Sequence, residues 1–91
     1  MNKYNVAVLK IIEEQQQIIG PLAMDLARRT AGILVVSDHE ISISGDPKQA
    51  LEGLVLQSQK IFGRASVEAS KDALRRSQAA LLPDEIPTIL R

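Results

Sequence analysis

Cysteine and tryptophan are absent from this 91-residue chain, and Tyr4 and Phe62 are its only aromatic side chains. The missing cysteines exclude disulfides, thiol catalysis and thiolate metal sites. The scarcity of aromatics removes any platform on which nucleic-acid bases could stack. It also leaves the core to Ile, Leu, Val, Met and Ala. His39 is the one histidine, flanked by Asp38 and Glu40. Three adjacent residues on a strand or turn point in different directions and cannot converge on a metal. A solvated turn explains them better, and no histidine–nucleophile pair is legible nearby.

Long apolar runs are missing too. The longest are Val6-Ala7-Val8-Leu9, Ile33-Leu34-Val35-Val36 and Ala79-Ala80-Leu81-Leu82. Such runs are far too short to span a bilayer. Met1-Asn2-Lys3-Tyr4 does not open a secretory segment, so the expected location is the cytoplasm, with no membrane partner. Net charge is zero, with 11 basic and 11 acidic side chains. The electrostatic footprint of a nucleic-acid binder is therefore lacking. A single small domain spanning residues 1–91 is expected. Its folded surface should be roughly 5,200 Å², against about 14,000 Å² for the unfolded chain. Cores this small often gain stability by oligomerising, so a homo-oligomer, most simply a dimer, is expected.

What the chain does have is an internal echo. Ile18-Ile19-Gly20 returns as Ile61-Phe62-Gly63, 43 positions later. At the same offset Ala7 matches Ala50, Ile11 matches Leu54, Ile12 matches Val55, and Gln16 matches Gln59. Past the glycines, Met24 matches Val67, Asp25 matches Glu68, and Arg28 matches Lys71. The shared pattern is an apolar helix, a glycine break and a second helix.

The first helix should run from about Asn5 to Ile19. Val8, Ile11, Ile12, Gln15, Ile18 and Ile19 form its inner stripe at three–four spacing. Gly20 stops it, and Pro21 suits the start of a second helix reaching about Ala31. Ile33 to Val36, a polar interval over Ser37-Asp38-His39-Glu40, and the alternating Ile41-Ser42-Ile43-Ser44 read as a β-hairpin. The first strand is apolar on both faces, so helices or a partner chain should cover both sides of it. Asp46 is positioned to cap a third helix with Pro47 at its first turn. That helix should run to Phe62, with Leu51, Leu54, Val55, Ser58, Ile61 and Phe62 as its stripe. Gly53, inside it, suggests a close helix crossing. After Gly63, a fourth helix should reach Ala80. Residues 81–91 form a tail in which Ile86, Ile89 and Leu90 are too apolar to stay undocked. The expected fold is α+β and mostly helical, in the order helix–helix–β-hairpin–helix–helix, with pseudo-symmetric halves.

No catalytic set emerges. Glu13 and Glu14 lie about 100° apart on a helix and form no acid–base dyad. Asp25 and Glu68 read as dipole partners near helix starts. Gly45-Asp46-Pro47-Lys48 lacks the glycines and the Lys-Ser/Thr pair of a phosphate loop. Neither an enzyme nor a cofactor is expected. Gly20, Pro21, Asp46, Pro47 and Gly63 are structural. Leu34, Val36, Arg28, Arg29, Arg75, Arg76, Ile86, Ile89 and Leu90 are the interaction candidates. On the fourth helix Arg64, Lys71, Arg75 and Gln78 share a face, but Glu68 and Asp72 interrupt it.

Ile18-Ile19-Gly20-Pro21-Leu22-Ala23, followed by Leu26-Ala27-Arg28-Arg29, resembles an Ile-Gly-Pro-aliphatic-Ala core leading into a basic helix. That core is found in small helical accessory modules of bacterial signalling proteins, including kinases and cyclases. The resemblance implies a regulatory or assembly role and carries no catalytic residues. The hairpin departs from its pattern. The leading expectation is a non-enzymatic, self-associating interaction module whose protein partner is unspecified. A nucleic-acid accessory protein using the basic helix ends and a small-ligand sensor are the alternatives.

Overall fold

In the computed structural model, residues 3–37, 39–77 and 81–91 are described. The order is α1 (Lys3–Ile19), α2 (Leu22–Arg29), β1 (Ile33–Ser37), β2 (Glu40–Ile43), α3 (Pro47–Phe62) and α4 (Arg64–Arg76). Two 3₁₀ turns follow, Pro83–Glu85 and Thr88–Leu90. The fold is α+β and mostly helical, in the helix–helix–hairpin–helix–helix order expected. The accessible surface is 5162 Å². Asp38 and Gln78–Ala80 lie outside the described residues, so the turn reading of Asp38 and the last turn of the expected fourth helix lie there too.

The echo in the sequence becomes an echo in space. Gly20 N–H donates to Gln16 O at 2.9 Å, and Gly63 N–H donates to Gln59 O at 2.8 Å. One turn on, Ala23 N–H reaches Gly20 O at 3.1 Å, and Ser66 N–H reaches Gly63 O at 3.2 Å. Both glycines sit at positive φ, 64° and 72°. A side chain there would clash with its own backbone, so glycine lets each helix stop and the next begin immediately. The inner faces correspond as well. Val8 and Leu51, Ile11 and Leu54, Ile12 and Val55, and Met24 and Val67 are all buried in one cluster. Burying each Val, Leu or Ile contributes roughly 1.5–3 kcal/mol before entropy is counted.

The halves interlock rather than stand apart. α1 packs on α4 as well as on its neighbour α2, and α2 packs on α3. Gly53 lies close to the end of α2. A Cβ at Gly53 would lie 3.3 Å from Thr30 Cγ2, a tight contact at the end of α2. α2 ends at Arg29, short of the expected Ala31, because Thr30 turns to an extended conformation (φ −81°, ψ 125°). The Thr30 hydroxyl closes the end by donating to Leu26 O at 2.8 Å. α3 begins as its sequence dictates: Asp46 Oδ1 accepts from Lys48 N–H at 2.9 Å, with Pro47 in the first turn.

β1 and β2 pair antiparallel, with Ile33 opposite Ile43, Leu34 opposite Ser42 and Val35 opposite Ile41. A shift between Val35 and Ser37 leaves Val36 outside the regular ladder. Ile33 and Ile41 are buried, and Val35 and Ile43 pack against the core.

Exposure of the apolar side chains departs from the helical stripes in one respect, and on the hairpin it falls on the interaction candidates. Of the two covers expected for the first strand, helices or a partner chain, the helices do not reach Leu34 and Val36, which are 65% and 55% exposed. The helices close one face of the hairpin, and nothing among the described residues closes the other. Ile18 and Ile61, expected on inner stripes, are 67% and 52% exposed. Both lie in the last turn before a glycine corner.

Candidate interaction surfaces

The first surface is the outer face of the hairpin. Alternation along β1 turns Ile33 and Val35 inward, leaving Leu34 and Val36 outward. The facing strand offers only the exposed Ser42 opposite Leu34. The patch is apolar and uncharged, with His39 and Glu40 at the turn end. The His39 side chain is exposed, and its backbone N–H donates to Ser37 Oγ at 3.2 Å. Among the described residues no group of three or more His, Asp or Glu side chains could hold a metal ion. No helix there is long and apolar enough to cross a membrane.

The second surface joins the two corners. Ile18 and Ile19 from the end of α1 meet Phe62, Ala65 and Ala69 from the α3–α4 corner. Together with Gln15 and Ser66 they wall a cavity of about 190 Å³. Gln15 is 2% exposed despite its polarity. Its Nε2 donates to Ser58 Oγ at 2.8 Å and to Ser70 Oγ at 3.3 Å. Those hydroxyls give their own protons to the preceding turns, Ser58 to Leu54 O at 3.2 Å and Ser70 to Ser66 O at 2.8 Å. Ser66 Oγ donates to Gly63 O at 2.8 Å. Gln15 Oε1 is buried and accepts no hydrogen bond among the described residues.

The basic side chains do not gather into a free patch. Arg28 pairs with Asp25 at 3.1 Å, Lys71 with Glu68 at 3.6 Å, and Arg76 with Glu14 at 3.4 Å. Arg75 pairs with Asp72. Arg29 is exposed at the end of α2. These exposed pairs place a carboxylate beside each of the four cations. Gln78, expected on the same face of the fourth helix, is outside the described residues.

The tail residues have a different place. Leu90 is buried in the core cluster, with Ile86 and Ile89 packed against it. Tyr4 Oη donates to Glu85 O at 2.9 Å, and Lys48 Nζ donates to Asp84 O at 2.7 Å. Lys3 Nζ meets Glu85 Oε1 at 2.6 Å, and Leu82 N–H donates to the same oxygen at 2.8 Å. The Lys3 hydrogen bond, then that of Leu82, holds the Glu85 carboxyl below the usual range. Burial, followed by the nearby Glu85 charge, pushes the Tyr4 hydroxyl up. Ile86, Ile89 and Leu90 thus serve the chain's own core, whereas Leu34 and Val36 face outward.

Sequence reasoning passed over the corner cavity. Its signal was Gln15, a polar residue inside an apolar stripe, whose repeat equivalent is Ser58. No known family, curated protein or solved structure matches the chain.

Proposed function

We propose that the chain is a non-enzymatic interaction module that pairs with a second copy of itself through the outer face of the hairpin. In that form it would scaffold or regulate a partner protein in the cytoplasm. One observation carries this reading: Leu34 and Val36 stand exposed together on a two-stranded sheet whose other face is closed by helices. Isolated two-stranded sheets are marginal in water, and covering the second face stabilises them. A second copy suits the patch because an isologous contact sets it against itself. Leu34, Val36 and Ser42 carry no charge, and the exposed Glu40 stands at the turn end of the patch. The zero net charge of the chain removes long-range repulsion between copies. The resemblance of Ile18 to Arg29 to accessory segments of signalling proteins fits the same role.

Magnitudes set the strength of the pair. Leu34 and Val36 are 65% and 55% exposed, so covering what remains of both in each copy gains roughly 4–7 kcal/mol, at about 1.5–3 kcal/mol for a whole side chain. Association costs about 4–15 kcal/mol in lost freedom. The expected product is a weak, concentration-dependent dimer. Sedimentation from about 10 μM to about 1 mM spans the corresponding affinities. Mass should rise toward twice the monomer, and the Leu34→Glu, Val36→Glu double variant should stay monomeric. A wild-type chain that remains a monodisperse monomer throughout would overturn the reading.

A further inference from the structure

We propose that the cavity between the two glycine corners binds a small neutral hydrocarbon, of the size and shape of a single six-membered ring. The ligand is held by apolar contact alone, with no hydrogen bond to the protein. This site is separate from the hairpin face and does not depend on self-association.

The cavity arises where the second half departs from the internal repeat. At the offset of 43 positions, Leu22 matches Ala65 and Leu26 matches Ala69. The surrounding packing matches too, since α2 packs on α3 as α4 packs on α1. On the α2 side Leu26 is fully buried and Leu22 half-buried. On the α4 side the chain places only a methyl group at each position. Ala65 and Ala69 are four residues apart, so they share a face of α4 and the volumes they leave out adjoin. With Phe62 they stand across from Ile18 and Ile19 of α1, around a space of about 190 Å³. Alanine in place of a core leucine leaves such a space because the neighbours relax only in part.

The wall fixes what kind of molecule fits. Ile18, Ile19, Phe62, Ala65 and Ala69 are apolar, and the space has almost no polar surface. The two polar residues of the wall use their polar groups elsewhere. Gln15 directs Nε2 to Ser58 and Ser70, and its Oε1 is itself buried. Ser66 gives its hydroxyl proton to Gly63 O. Water would find hardly any of the polar partners it needs in such a space. A carboxylate or an ammonium would lose its hydration and meet no opposite charge. A neutral apolar body loses nothing there and gains contact with every wall. An apolar protein cavity of roughly 150 Å³, lined by Leu, Ile and Phe, stays dry and takes up benzene. The space here is larger, at about 190 Å³, and its walls are of the same kind. Access is provided where Ile18, though part of the wall, is largely exposed.

The test is a titration of the full chain with benzene, phenol and benzoate, followed by backbone amide and methyl NMR. Phenol adds a hydroxyl to the ring, and benzoate adds a negative charge. Benzene should give saturable shifts centred on Ile19, Phe62, Ser66 and Ala69. Nuclear Overhauser contacts should connect its protons to the Ile19 and Ala69 methyl groups. Phenol should bind no more tightly than benzene, and benzoate should not bind. Ala69→Leu supplies the leucine that the first half carries at Leu26, and it should fill the cavity and abolish benzene binding. Should that variant fail to fold, the contacts from benzene to Ile19 and Ala69 in the wild type decide the site by themselves. Tighter binding of phenol than of benzene would overturn the proposal, since it would require a polar partner inside the cavity. So would saturable binding of benzoate, shifts centred elsewhere, benzene binding retained by a folded Ala69→Leu chain, or no saturable binding of benzene at all.

Discussion

Gln15 and Ser58 hydrogen-bond to each other at 2.8 Å across the core, although 43 positions separate them. That separation is also the offset between the Gly20 and Gly63 corners. The two residues hold equivalent places in the two halves, so the halves touch through a pair that the repeat relates. The pair is unequal: the serine is fully used, whereas the glutamine keeps an idle oxygen.

The inequality makes an asymmetric prediction for stability. Ser58→Ala should cost about 1–3 kcal/mol, because it takes a partner from a buried amide. Gln15→Met should be neutral or stabilising, because it removes an unsatisfied oxygen while both serines keep their carbonyl acceptors. Adding Ser58→Ala to Gln15→Met should then cost much less than Ser58→Ala alone, a coupling that a double-mutant cycle in urea measures directly. Equal losses from the two single substitutions would contradict this account of the pair.

The corner glycines should respond to alanine through backbone strain alone. A Cβ on Gly20 or Gly63 would meet nothing within 4 Å. Gly63 has φ 72° and ψ −158°, a region that essentially only glycine occupies. Gly63→Ala should therefore lose roughly 1–3 kcal/mol in chemical denaturation. The loss should appear without broadened spectra or a changed core, since no packed neighbour has to move.

Docking of the tail should depend on pH from both sides. The folded-state pKa of Glu85 is depressed, so its contribution is present above the unfolded value, about 4.3. That contribution is lost as pH falls through the folded value. The Tyr4 value is raised, so its contribution is intact below about 10 and is lost as pH rises through the folded value. Amide shifts of Ile89 and Leu90 should report tail release at both extremes. Glu85→Gln should blunt the acid limb and Tyr4→Phe the alkaline one. Glu85 is a surface group screened by solvent, so the acid effect should be small and should shrink with added salt.

Much of this architecture was legible because its signals are local. Gly20, Gly63 and the Asp46–Pro47 pair act through their own backbone, and the alternation of Ile41-Ser42-Ile43-Ser44 marked the second strand as apolar on one face. Periodicity could not say how far each helix face is covered. Ile18 and Ile61 obey the same spacing as Ile11 and Leu54, yet the fold leaves them largely exposed. The corner cavity was hidden for a related reason. A one-dimensional repeat matches Gln15 with Ser58, but it does not reveal that the matched positions face each other. That fact belongs to the packing of α1 against α3 and α4.

The packing of the first helix on the last has a further consequence during synthesis. α1 leaves the ribosome with the apolar face of Val8, Ile11 and Ile12 bare. α2 and the hairpin can cover only part of it. The rest must wait until α4 and the turn ending at Leu90 have emerged, tens of residues later, before the longest-range contacts can close. A nascent chain stalled before Arg64 should accordingly be an efficient chaperone client, whereas one stalled well beyond Leu90 should fold and escape.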